Sequence, residues 1–154
     1  MRECDPVKQT IRKLATECSK SEHCSGEMIE KMRRWKLTEE QQAQVMAYLT
    51  ENKYVDDARF ARLYVRDKLR FNKWGPRKIE QGLWAKHVDE DVYRPFLDEI
   101  TAEEWQEVLI PLLQTKRRSM ADSNSYEARM KLIRFAMGRG FTMDVIDKCL
   151  SCNE

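Results

Sequence analysis

The chain has 154 residues, 42% of them hydrophobic and 35% charged, with a formal net charge of +2. That is too much apolar material for a disordered tail and too much charge for a membrane protein, so a soluble folded protein is expected. No run approaches the roughly 18 apolar residues that span a bilayer, and the opening MRECDPVKQT lacks the apolar stretch of a signal peptide. A cytoplasmic location without a membrane partner is the expectation.

Five cysteines, Cys4, Cys18, Cys24, Cys149 and Cys152, form an odd set with no framework spacing, as reduced thiols would. Cys149 and Cys152 have the separation of a metal or redox pair. No second such pair accompanies them, and the only histidines are His23 and His87, so no metal and no cofactor are expected.

Five glycines, four prolines and no window of sustained alternation predict helix throughout. In chain order, Asp5 before Pro6 is an N-cap with proline at the first helical position, and a long helix is predicted over 6–19. The segment EMIEKMRRWKL from Glu27 is the next helix, and the capping box TEEQ at 38–41 starts a third, over 38–50. Asp56 and Asp57 then open a helix over 57–72. Either one can cap it and place negative charge at its positive end. Gly75 and Pro76 start the helix that contains KIEQGLWAKHV from Lys78, and another follows over 89–98. The box TAEE at 101–104 starts a helix over 102–119, the segment KLIRFAMGRGF from Lys131 forms the next, and a last helix covers 143–151. Interior prolines cost about 3 kcal/mol, so a kink or break is expected at Pro95 and at Pro111.

The three quoted segments superimpose without gaps. Their final apolar residues are Leu37, Val88 and Phe141; five residues earlier stand Met32, Leu83 and Ala136, and nine earlier Met28, Ile79 and Leu132. Spacings of four and five keep these positions on one helix face. The period is about fifty residues, one supersecondary unit of three helices. Three tandem triplets follow: 1–53, 54–100 and 101–154.

Within the second triplet a helical wheel separates an apolar half, Phe60, Ala61, Tyr64, Val65, Leu69 and Phe71, from a stripe of Arg59, Arg62, Arg66 and Arg70. Between Arg59 and Lys86 nine Lys or Arg stand against Asp67 and Glu80, a net of +7; residues 87–110 carry −7, and residues 116–140, with KRR at 116–118, carry +5. Alternating fields of this kind suit an extended polyanion or a charged protein lattice. A solvated face with ion pairs of little worth is the plain alternative. Trp74, beside Lys73 and Arg77, and Trp84 are expected to close the core rather than to stack on bases.

The motifs YVDDARFA and GPRKIEQGLWAKHV, with RMKLIRFAMGRGFTMDVIDKCL near the C-terminus, resemble the RecX family, the bacterial regulators of the RecA recombinase, over roughly residues 39–150. The resemblance implies an all-α fold of three tandem three-helix repeats in an elongated, curved arrangement, without enzymatic activity. It further implies a monomer that binds the RecA filament on DNA and restrains its ATPase, strand-exchange and coprotease functions. In that frame Arg59, Arg62, Arg66, Arg70, Lys73, Arg77 and Lys78 are the expected contacts to acidic protein surface or to DNA phosphates, while Asp56, Asp57, Phe60, Gly75 and Pro76 form the structural motif. A stand-alone nucleic-acid-binding module is the alternative. The chain departs from the family pattern where the glycine that ends the middle helix, Gly140 in the third triplet, is Lys36 in the first and His87 in the second. A left-handed cap is less easy there.

Overall fold

The computed structural model describes residues 5–151, and among them every regular element is helical. The order is α1 (Pro6–Lys20), α2 (Ser25–Arg34), α3 (Glu39–Glu51), α4 (Asp57–Arg70), α5 (Pro76–Ala85), α6 (Glu90–Asp98), α7 (Ala102–Arg118), α8 (Tyr126–Gly138) and α9 (Met143–Ser151). Helix starts follow the local chemistry. Asp5 accepts the Val7 N–H ahead of Pro6. Thr38 with Gln41 and Thr101 with Glu104 close reciprocal capping boxes.

The ends of the middle helices explain the repeat. Lys36, His87 and Gly140 all take positive φ, at 60°, 59° and 96°. At each, two backbone bonds close the same motif: Lys36 and Leu37 donate to Arg33 and Met32, His87 and Val88 to Trp84 and Leu83, and Gly140 and Phe141 to Met137 and Ala136. The five-residue spacing read from the sequence is therefore the pair of residues that a Schellman turn brings together. Lys36 and His87 adopt the left-handed geometry without glycine, at a cost of roughly 1–2 kcal/mol each. Burial of Met28, Met32, Ile79, Leu83, Leu132 and Ala136, all at 0% exposure, supplies the compensation.

Neither interior proline interrupts its helix. Pro95 lies within α6 and Pro111 within α7. Both are exposed, as are Asp91 and Glu107 four residues before them, so each carbonyl that loses its bond is left toward water.

The chain divides into two compact units, Met1–Arg62 with Leu83–Tyr93, and Leu63–Gly82 with Arg94–Glu154. The second triplet contributes to both. In the first unit α3 packs on α1 and α2 over Leu14, Met28, Met32, Val45, Leu49 and Val55. In the second, α7, α8 and α9 pack on one another, with Leu109, Leu113, Leu132 and Ile146 fully buried and Trp105 meeting Phe141 edge-on at 6.3 Å.

Each unit contains a joint of the same kind. In the second, the first turn of α5 lies on the turn after α8: the Gly75 N–H donates to the Arg139 carbonyl at 2.7 Å and the Arg77 N–H to the Gly140 carbonyl at 3.0 Å. A Cβ on Gly75 would stand 2.3 Å from the Phe141 nitrogen, so only glycine permits the approach. In the first unit, the start of α2 lies on the turn after α5. Cys24 Sγ donates to the Lys86 carbonyl at 3.4 Å, and a Cβ on Gly26 would stand 2.1 Å from that oxygen.

Candidate functional site

The two aspartates serve different helices. Asp56 Oδ1 accepts the Arg59 N–H at 3.1 Å, which caps α4. Asp57 begins α4 but turns its carboxylate to α2, where it accepts the Ser25 N–H at 2.7 Å and the Ser25 hydroxyl at 2.5 Å. Phe60 is buried, with the Lys86 ammonium 5.9 Å from its ring centre. Gly75 and Pro76 form the joint described above. All five motif residues sit at helix starts or in the core.

Around the first unit's own joint, between the start of α2 and the turn after α5, lies a polar cluster. Glu27 accepts the Cys24 N–H at 3.2 Å and pairs with Lys86 at 3.4 Å and His23 at 3.3 Å. Burial pushes its carboxyl up, but the Cys24 N–H and Lys86 outweigh that and hold it below the usual carboxylate range. Burial pushes the Cys24 thiol up to about 11, which makes it an inert packing group rather than a nucleophile.

The arginine stripe is more heterogeneous than its spacing suggests. In the first unit Arg59 is half-buried, with Nε 2.7 Å from Glu22 Oε1, and its other end donates to the Lys53 and Tyr54 carbonyls. It is tied into the fold. Arg62 is exposed. In the second unit Arg66 donates to Glu104 Oε2 at 2.6 Å, and both side chains remain 37% exposed. That bond, followed by the Thr101 N–H, holds the Glu104 carboxyl below its usual range. Arg70, Lys73 and Arg77 are exposed and have no carboxylate partner among the described residues. Lys73 has φ of 58°, so its side chain leaves the end of α4 from a left-handed turn.

Arg66, Leu69, Arg70 and Lys73 of the α4 end face Glu104, Glu107 and Val108 of α7 across an open cleft of about 190 Å³. Lys78 is spent differently. Its ammonium lies 5.1 Å from the Trp74 ring centre, and that of Lys68 lies 5.0 Å from it. With two ammoniums upon its ring and half its surface buried, Trp74 is a packing element. Trp84, expected in the core, is 55% exposed, and its indole N–H donates to the buried Tyr93 hydroxyl at 2.6 Å. Phe71, placed on the apolar half of the wheel, lies beyond the last residue of α4 and is 72% exposed.

Sequence reasoning missed three contributors. Arg139 donates to the Asn72 and Lys73 carbonyls, at 2.7 and 3.3 Å, and so finishes the α4 end. Glu104 was read as a cap alone. Leu63, 43% exposed, stands among the arginines at three residues from Arg66 and seven from Arg70; its apolar type at a stripe position was the available signal. Among the described residues no His, Cys, Asp or Glu cluster could hold a metal ion, and no helix is long and apolar enough to cross a membrane. Cys152, half of the CxxC pair, lies outside the described residues, and its partner Cys149 is buried.

These features define a chain of three-helix domains with a cationic face near the end of α4. Residues 56–94 match the family domain described as RecX, second three-helix domain, and residues 102–150 match RecX, third three-helix domain. A Regulatory protein RecX of Acinetobacter baylyi is 31% identical over 132 residues, which is 86% of this chain and 80% of the relative. The chain belongs to the RecX family. A Regulatory protein RecX of Bacillus mycoides is 29% identical over 108 residues, 70% of this chain but 40% of that relative's length. The crystal structure of RecX from Lactobacillus salivarius superimposes with a TM-score of 0.86 at 20% identity and covers 94% of both chains. That of another regulatory protein RecX gives 0.86 at 19% identity over 97% of this chain and 80% of its own. The fold is shared with both.

Proposed function

We propose that the chain binds the RecA filament on DNA and restrains its ATPase, strand-exchange and coprotease activities, acting as a regulator rather than an enzyme. Membership of a family of regulatory proteins supports the regulatory part. The exposed cations of the second unit, Arg70, Lys73 and Arg77, together with the half-buried Arg66, support a charged partner. The observation that carries the choice of partner is Leu63, an exposed leucine set among arginines. An apolar side chain has nothing to pair with on a phosphate backbone, whereas a protein surface offers it a pocket.

The test adds the protein to preformed recombinase filaments on single-stranded DNA and follows ATP hydrolysis and strand exchange. Arg66→Glu with Arg70→Glu is expected to remove the effect while helicity stays unchanged and melting falls by no more than a few degrees, since only the exposed pair with Glu104 is lost. Retained inhibition by that variant places the contact elsewhere, and no effect of the wild-type protein at stoichiometric concentration refutes the reading. If the chain were instead a stand-alone nucleic-acid binder, its affinity for naked duplex would be high, and log K would fall by about 0.9 per neutralised phosphate as log salt rises.

A further inference from the structure

The Thr101 box at the start of α7 resembles the Thr38 box at the start of α3, with one difference that matters. At α3 the returning side chain is the neutral Gln41, which accepts the Thr38 N–H at 2.9 Å. At α7 it is Glu104, which accepts the Thr101 N–H through Oε1 at 3.3 Å and leaves Oε2 for Arg66 at 2.6 Å. Capping therefore does not require the negative charge at 104, since glutamine performs it in the same chain. What the charge adds is the hold on Arg66. That hold lies in the cleft where Arg70 and Lys73 stand with no carboxylate of their own. Leu69 and Val108, which also line the cleft, are apolar.

We infer that Glu104 is a built-in competitor at this cleft: its carboxylate occupies Arg66 in the unbound protein and yields it to an acidic side chain of the protein partner. The inference rests on the filament reading above and deepens it by naming the subsite and the group it takes. Three observations favour a carboxylate of a protein over a phosphate. Arg66 already donates to a carboxylate in this geometry. Leu69 and Val108 of the lining and the neighbouring Leu63 are apolar. Glu107 on the far wall disfavours a polyanion that carries charge at every step. Exchange is cheap because the pair is 37% exposed on both sides. Pairs of that kind shift an equilibrium by about two- to fivefold.

Glu104→Gln is the decisive variant, because it keeps the cap and removes the charge. Two measurements read it. In the unbound protein, modification of Arg66 by phenylglyoxal, followed by mass spectrometry, is expected to speed up about two- to fivefold. On preformed recombinase filaments, the concentration needed for half-inhibition of ATP hydrolysis is expected to fall by a similar factor. That gain is expected to vanish when Glu104→Gln is added to Arg66→Gln. Unchanged labelling of Arg66 overturns the inference, and so does weaker inhibition by Glu104→Gln, which would make Glu104 a positioning residue. A gain seen equally with naked DNA overturns the acidic protein occupant in favour of phosphate. A wild-type protein inert toward filaments refutes the function, not the contact, which the labelling still decides.

Discussion

Replacing Gly75 by alanine tests the joint that holds the start of α5 on the turn after α8. The added Cβ would stand 2.3 Å from the Phe141 nitrogen, 2.4 Å from the Gly140 carbonyl carbon and 2.5 Å from the Gly140 oxygen. All three are backbone atoms, so no side chain can swing aside, and the two segments must separate by about 1 Å to restore ordinary contact. Separation stretches the bonds from Gly75 to Arg139 and from Arg77 to Gly140, now 2.7 and 3.0 Å. Each is worth about 0.5–1.5 kcal/mol net and more if its buried donor is left unpaired. The unfolded chain contributes the opposite way, since alanine lowers its entropy by about 0.4–1 kcal/mol. The net expectation is a loss of about 1–2 kcal/mol, read as a fall in melting temperature of roughly 2–8 °C for a chain of this size. Gly138 is the internal control. Nothing lies within 4 Å of a Cβ there and its φ is not positive, so Gly138→Ala is expected to stabilise α8 by about 0.5–1 kcal/mol. Denaturant unfolding of both variants decides the matter. A Gly75→Ala protein within 0.5 kcal/mol of wild type, or the two glycines behaving alike, would refute the close-approach argument.

Glycine at position 36 or 87 should remove left-handed strain, and each variant is expected to gain about 1 kcal/mol in denaturant unfolding, whereas Gly140→Ala should lose stability, since its Cβ would meet Lys78 Cβ at 2.5 Å. Glu104 has a depressed carboxyl, so the stability it contributes is complete above the unfolded glutamate value of about 4.3 and is lost as pH falls through the lower folded value; Glu104→Gln should flatten the stability profile in that acid window. The Cys24 thiol runs the other way. Its value is raised to about 11, so the unfolded chain ionises first and stability should fall as pH rises from about 8.5 toward that value, a slope that Cys24→Ala should reduce. At pH 8 a thiol reagent should leave Cys24 of the folded protein unmodified while labelling it in denaturant.

The helices were legible because their signals are local. A cap, a proline at the first turn and a four-plus-five spacing of apolar residues act within one or two turns, and the observed α1, α3, α4, α5 and α7 start within a residue of their signals. The repeat was legible for a deeper reason: Met32 with Leu37, Leu83 with Val88 and Ala136 with Phe141 are the contact pairs of the same backbone turn, so geometry imposes the periodicity directly. Long-range partners left no such trace. Nothing beside Asp57 in the chain announces Ser25, and nothing beside Arg139 announces the carbonyls of residues 72 and 73. Periodicity also overreached at Phe71, because the helix stops at Arg70 and the wheel no longer applies to the next residue.

The site was legible as a list of cations but not as a set of available charges, and the difference is physical. Helical spacing shows that Arg59, Arg62, Arg66 and Arg70 share a face of α4; it says nothing of what other elements bring to each. Glu22 and two carbonyls take Arg59 into the first unit, and Glu104 takes Arg66 in the second. The joints consume further residues that a motif search would rank as functional: Asp57 and Gly26 at α2, Gly75 and Arg139 at the α4 and α5 ends. Once these are subtracted, Arg70 and Lys73 are left as exposed cations without a carboxylate in the cleft where α4 stops. A charge run of +7 thus reduces to a small adjustable subsite, and the strength of partner binding should follow the competition at Arg66 more closely than the total charge of the run.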